Sequence, residues 1–202
     1  MKKHLVRVVL VLAVSMSFCG CAKVKYPNYY TLNLPPAPDP PAEQGPRVSI
    51  AVREFRSPGY LKQGAIVYRP TPEQIGFYNY HRWATDPRGV VTQAITDHLR
   101  ASGRYALVKP YDGHSNVDYV LSGRLEQLEE VDYAGGVQVD VAISAQLASL
   151  TTGETVWTNE VHEIGKVERR DVSAVVSQMS HTMDAAIDKL VSQMPAAPAK
   201  PN

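Results

Sequence analysis

The sequence predicts one α/β domain of strands and two main helices, and three observations carry that reading. Val137, Val139, Val141, Ile143, Ala145 and Leu147 alternate with Gln138, Asp140, Ala142, Ser144, Gln146 and Ala148, the period of a strand with one face on a core. Two other segments place their apolar residues at helical spacing. One is Val91, Ala94, Ile95, His98 and Leu99; the other is Val172, Val175, Val176, Met179, Met183, Ile187, Leu190, Val191 and Met194. Without residues 1–20 the chain has the length of a single domain, enough to bury a core without disulfides.

The chain opens with Lys2, Lys3 and Arg7, then the apolar run Val8 to Phe18, then Cys19-Gly20-Cys21. A basic start, a short apolar core and a small residue before the cut make a secretory leader. The apolar run is too short to cross a bilayer, which takes about 20 residues. The cysteine at the cut resembles a lipobox, in which Cys21 is acylated on sulfur and becomes the mature first residue; bulky Phe18 excludes Cys19 from that role. The layout is then a leader over 1–20, a tether over 21–28, a domain over 29–194 with a Pro-rich connector at 35–46, and a disordered tail over 195–202.

The elements follow in order. Tyr29 to Leu34 has strand composition. In Arg47 to Phe55, Val48, Ile50 and Val52 alternate with Ser49, Ala51 and Arg53. Ala65 to Arg69 and Gln74 to Tyr80 read as strands joined through Pro70-Thr71-Pro72. Asp86 is placed to cap a helix whose first residue is Pro87, and Gly103 ends it. Tyr105 to Val108 is a short strand. Val117 to Val131 is a long one whose phase slips near Leu128, the mark of a bulge. Ala134-Gly135-Gly136 turns the chain, Thr151 to Glu154 makes a hairpin turn, and Thr155 to Val167 returns. Asp171 caps the last helix, which runs to Met194.

Charge and cysteines exclude several function classes. Losing Lys2, Lys3 and Arg7 leaves a side-chain charge of −2, with neither a nucleic-acid footprint nor a polybasic membrane patch. Acyl chains would hold the protein to a bilayer. With Cys19 removed and Cys21 acylated, no thiol remains to pair. No Walker A loop, G-x-S-x-G elbow or H-E-x-x-H motif is present, so no enzyme is expected. His81, His98, His114, His162 and His181 form no i, i+4 ligand pair, and His98 suits the negative end of its helix. Glu168 with Asp171 reads as a capped helix start. Met179, Met183 and Met194 read as core rather than as a lipid groove. Tyr78, Tyr80 and Trp83 read as packing or as a recognition patch.

Taken in order, Cys21, Tyr29-Tyr30-Thr31-Leu32, Val48 to Phe55 with Tyr60-Leu61, Ile66-Val67-Tyr68-Arg69, Tyr78-Asn79-Tyr80-His81-Arg82-Trp83-Ala84 before Pro87, strand Tyr119 to Leu125 and the hairpin with Gly153 resemble the ABC-transporter auxiliary lipoprotein family. These are the lipoprotein partners of MCE-type lipid-transport systems, including the Pqi type. The resemblance implies a mixed, mostly antiparallel twisted sheet with two helices, similar to the amino-terminal domain of TolB. It implies no active site and no cofactor beyond the covalent lipid on Cys21. Its implied partners are an MCE protein with its separate permease and ATPase chains, and self-association is left open. The implied place is the outer membrane, lipid-anchored and facing the periplasm; Ala22, where Asp would resemble an inner-membrane retention signal, agrees. Aromatic residues and Arg anchor docking surfaces, so Tyr78, Tyr80, Arg82 and Trp83 are the candidate partner-binding residues. A structural envelope-integrity or outer-membrane assembly lipoprotein without a transport system is the alternative, and the missing motifs weigh against a lipoprotein enzyme.

Overall fold

The computed structural model describes residues 24–39, 48–114, 116–133 and 135–195. The leader, Cys21, the connector from Pro40, Arg47, Ala134 and the tail from residue 196 lie outside the described residues. The elements are β1 (Asn28–Tyr30), β2 (Ser49–Val52), a 3-10 turn (Gly59–Gln63), β3 (Ala65–Thr71), β4 (Gln74–Trp83), α1 (Pro87–Ala101), β5 (Leu107–Pro110), β6 (Tyr119–Val131), β7 (Gln138–Ser149), β8 (Thr155–Lys166) and α2 (Val172–Ser192). All eight strands join one mixed sheet. Its long pairings, β6 with β7 and β7 with β8, are antiparallel. Shorter parallel pairings attach β1 to β4, β2 to β5, and both β2 and β3 to β6.

β6 organises the sheet. One edge pairs with β7 along its whole length. The other edge takes two segments in succession: β2 at Tyr119 to Leu121 and β3 at Glu130 to Val131. Between them Arg53 N donates to Leu121 O at 2.8 Å, Arg56 N to Gly123 O at 2.9 Å, and Leu125 N to Arg56 O at 2.8 Å. The strand expected over Arg47 to Phe55 is therefore shorter as a ladder, but its hydrogen bonding continues to Arg56. Gly123 permits this closeness: a Cβ there would sit 2.3 Å from the Phe55 ring and 2.6 Å from Ser144 O.

The phase slip expected near Leu128 is a bulge between Leu125 and Gln127. The extra residue, Glu126, turns its carboxylate to Arg124 Nε and Ser144 Oγ, both at 2.7 Å. On either side of it Leu121, Leu125 and Leu128 face the core opposite Leu147, Ile143 and Val141. Both helices contribute to that core, α1 through Val91, Ile95 and Leu99 and α2 through Val175, Met179, Met183, Ile187 and Leu190. The methionines are thus core residues. The caps match their sequence signals: Asp86 accepts from Arg88 N at 3.0 Å, Asp171 accepts from Ala174 N at 2.9 Å, and Gly103 leaves α1 at φ +62°.

Other boundaries move for tertiary reasons. β1 stops at Tyr30, because Asn33 N crosses to α2 and donates to Ser180 Oγ at 3.0 Å. β4 continues to Trp83, whose N–H bonds Gly64 O at 2.8 Å. β5 begins at Leu107, and Tyr105, expected in it, instead donates its hydroxyl to Pro195 O at 2.8 Å.

Val141 is fully buried, whereas the neighbouring Asp140 points to the uncovered face and pairs with His162. Val141→Asp places an unpaired carboxylate in the core and is expected to cost about 3–5 kcal/mol. Asp140→Val loses only an exposed ion pair, about 1 kcal/mol or less. Gly123→Ala is expected to cost about 1–3 kcal/mol through overpacking against Phe55. Thermal and urea unfolding of the three variants measures this ranking.

Candidate docking surface

Tyr78, Tyr80, Arg82 and Trp83 all lie on β4, but they do not form one surface. Between Ala65 and Val67 the partner register runs from Arg82 to Phe77, so β4 carries three extra residues there. That irregularity breaks the alternation that would place Tyr78 and Tyr80 side by side. Tyr78 turns inward: its ring lies 4.9 Å from Tyr68 and 5.6 Å from His81, and its hydroxyl donates to Glu130 Oε2 at 2.8 Å. Trp83 is buried in the core. Arg82 donates from Nη2 to Gln63 O at 2.7 Å, tying β4 to the 3-10 turn. Tyr80 is 40% exposed, with Lys25 Nζ 4.4 Å above its ring. The accessible groups of the set are therefore Tyr80 and Arg82.

Below this edge lies a buried acidic pair. Glu129 and Glu130 are 1% and 2% exposed. Arg69 holds Glu129 with a bidentate contact of 2.7 and 3.1 Å and also donates to Pro72 O at 2.9 Å. Glu130 points to the opposite side of β6 and depends on Tyr78. Burial pushes its carboxyl above the usual carboxylate range, the Tyr78 hydrogen bond opposes that, and Asp132 adds to it. Burial, helped by the nearby carboxylates, raises the Tyr78 phenol. Tyr60, which donates to Glu126 O at 3.1 Å, is pushed up to about 12, first by burial and then by Glu129. These phenols remain protonated donors at neutral pH and make a packed network with no ligand-facing acid or base.

The histidines are dispersed. His81 Nδ1 lies 2.8 Å from the Tyr30 hydroxyl, His162 pairs with Asp140, and His98 Nδ1 lies 2.9 Å from Asp188 Oδ1, joining α1 to α2. No group of three His, Cys, Asp or Glu side chains among the described residues is arranged to hold a metal. The sequence reading passed over the tether itself. Val24, Tyr26 and Tyr29 are exposed, and Lys25, between the first two, lies over the Tyr80 ring; the detectable signal was the run of residues from Ala22 to Pro38 without Asp or Glu.

Glu130 gives this network a pH signature. Its folded pKa is raised above the ordinary 4.5, so its contribution to stability is complete below the unfolded value and is lost as pH rises through the folded one. Glu130→Gln keeps an acceptor for Tyr78 and removes that loss. Melting temperatures from pH 4 upward are expected to decline more steeply for the wild type than for the variant, with the variant at least as stable at neutral pH. Tyr78→Phe leaves the carboxylate without its donor and is expected to cost about 1–3 kcal/mol at neutral pH.

The model of the family described as "ABC-type transport auxiliary lipoprotein component" matches residues 30–192. No curated protein matches the chain. Among solved structures, a protein from Xanthomonas campestris is similar with a TM-score of 0.70 at 19% identity, over 81% of this chain and 92% of that one. An uncharacterized protein reaches 0.64 at 15% identity, over 84% and 99%. A hypothetical protein from Chlamydia trachomatis reaches 0.52 at 6% identity, over 73% and 95%. These likenesses establish a shared fold. With its matched region running from the end of β1 through α2, the chain belongs to the family of ABC-type transport auxiliary lipoprotein components.

Proposed function

We propose that this chain is the outer-membrane-anchored, periplasm-facing subunit of an MCE-type lipid-transport system, docking the periplasmic conduit at the outer membrane and having no turnover of its own. The observation that carries the reading is the family match over residues 30–192 placed directly behind a lipobox-like Cys21. Membership makes it an auxiliary component of a transporter, and the cysteine supplies the membrane attachment. No helix among the described residues is long and apolar enough to cross a membrane, so acyl groups on Cys21 would provide the hold. Ala22 favours sorting outward.

The domain suits a passive docking part. Its buried Glu129 and Glu130 are both paired, and the helices cover one face of the sheet, α2 against β7 and β8 and α1 against β5 and α2. The opposite face, with Ser122, Arg124, Ser144, Gln146, Thr158 and Glu160, borders an open groove of about 580 Å³. The permease, ATPase and MCE subunits are separate chains in this reading.

Two outcomes test it. Cys21→Ser is expected to leave an uncleaved or soluble protein; normal outer-membrane fractionation of that variant would reject the anchor. The detergent-extracted wild type is expected to co-purify with an MCE protein, and its deletion to disturb envelope lipid balance. Absence of both effects would favour the structural envelope lipoprotein instead.

A further inference from the structure

Nine large apolar or aromatic side chains are exposed among the described residues, and four of them gather at one corner: Val24 and Tyr26 on either side of Lys25, which lies over the Tyr80 ring, and Tyr29 on β1 beside β4. The others are spread over β5, the β6–β7 loop and the β7–β8 ribbon. Tyr26 and Tyr29 are 78% and 62% exposed. The corner is held in place by the sheet: β1 runs parallel to β4, with Asn28 beside His81 and Tyr30 beside Trp83, and Ala84 N closes it on Tyr30 O at 2.8 Å. Lys25 folds its ammonium over the Tyr80 ring. Clustered exposed aromatic side chains in an otherwise dispersed surface mark a contact site.

The charge of this corner is one-sided. No Asp or Glu occurs from Ala22 to Pro38 or within β4, while Lys23, Lys25 and Arg82 do. The chain length then says what the corner meets. Val24 stands three residues after Cys21, so it lies at most about 11 Å of extended chain from that residue. Tyr26, five residues on, lies within about 18 Å. The headgroup layer on each side of a bilayer is itself roughly 5–8 Å deep.

We infer that Tyr26, Tyr29 and Tyr80, with Lys25 and Arg82, form a membrane-interface contact that rests among the phosphate headgroups of the bilayer holding Cys21. The inference depends on acylation of Cys21 as proposed above. Tyrosine presents an apolar ring and a polar tip, the combination that partitions to headgroup depth. Cations beside the rings face lipid phosphates. Acyl chains alone attach a domain without orienting it; a rigid aromatic corner adds a second contact and sets its angle. β8, separated from β1 by β4, β3, β6 and β7, then stands away from the bilayer and towards soluble partners.

Single-cysteine variants test this, because the mature acylated chain carries no other thiol. Tyr26→Cys, Tyr29→Cys, Tyr80→Cys and, as a control on β8, Ile164→Cys are labelled with an environment-sensitive dye. Each acylated protein is inserted into preformed vesicles of phosphatidylethanolamine and phosphatidylglycerol, and quenching by aqueous iodide is measured. Labels at 26, 29 and 80 are expected to be quenched roughly threefold less than the label at 164, with melting temperatures unchanged because all four side chains are exposed. Equal quenching at all four sites in protein that floats with the vesicles overturns the contact and leaves the anchor standing. Protein that does not float overturns both. Protection that arises only after a transporter subunit is added assigns the corner to a protein partner and overturns the membrane contact.

Discussion

Everything in this fold depends on β6 being paired on both edges, with two different segments sharing one of them. β7 occupies one side throughout, while the chain from Ser49 to Arg69 runs along the other, leaves it at the 3-10 turn and returns. Parallel neighbours require crossover connections, and the one between β2 and β6 carries the 3-10 turn, the β3–β4 hairpin, α1 and β5. The geometry leaves no space for a side chain at Gly123, where Phe55 and the Ser144 carbonyl close on the backbone. The Glu126 bulge sits between the two partners and re-phases the strand, so that Leu125 and Leu128 both reach the core.

The same double pairing buries the acids at the end of β6. A carboxylate out of water is costly unless it is hydrogen-bonded or paired. Each has a different remedy: Glu129 takes the bidentate Arg69, and Glu130 takes the Tyr78 hydroxyl. Both partners come from the β3–β4 hairpin. The acids therefore specify how that hairpin docks on β6, and in doing so they hold the half-buried Tyr78 against it. A residue suited by type to partner recognition is spent on packing.

The core and both helices lie on one side of the sheet, and the other side keeps an open polar groove. The first described residues feed straight into β1, so only a few residues separate Val24 from the sheet. A short link to a rigid edge transmits orientation, whereas a long flexible one would not.

Much of the fold is legible in local signals. The caps Asp86-Pro87 and Asp171, the exit at Gly103 and the alternation from Val137 to Leu147 each operate within one turn or one strand, where the sequence carries the whole pattern. By contrast, the candidate docking residues were chosen by type, and type does not decide exposure: Trp83 is core, Tyr78 is bound to Glu130, and Tyr26 and Tyr29 stand in the open. What the sequence by itself determined is the class of most elements and the presence of a single α/β domain. Only the tertiary structure decided which strands pair in parallel and where the extra β6 residue falls. It also decided which tyrosines reach water. Ile50 meets Tyr119, and Tyr78 meets Glu130, across separations of 69 and 52 residues; such contacts are selected by mutual packing and by the need to pair buried charge, not by any pattern within either segment.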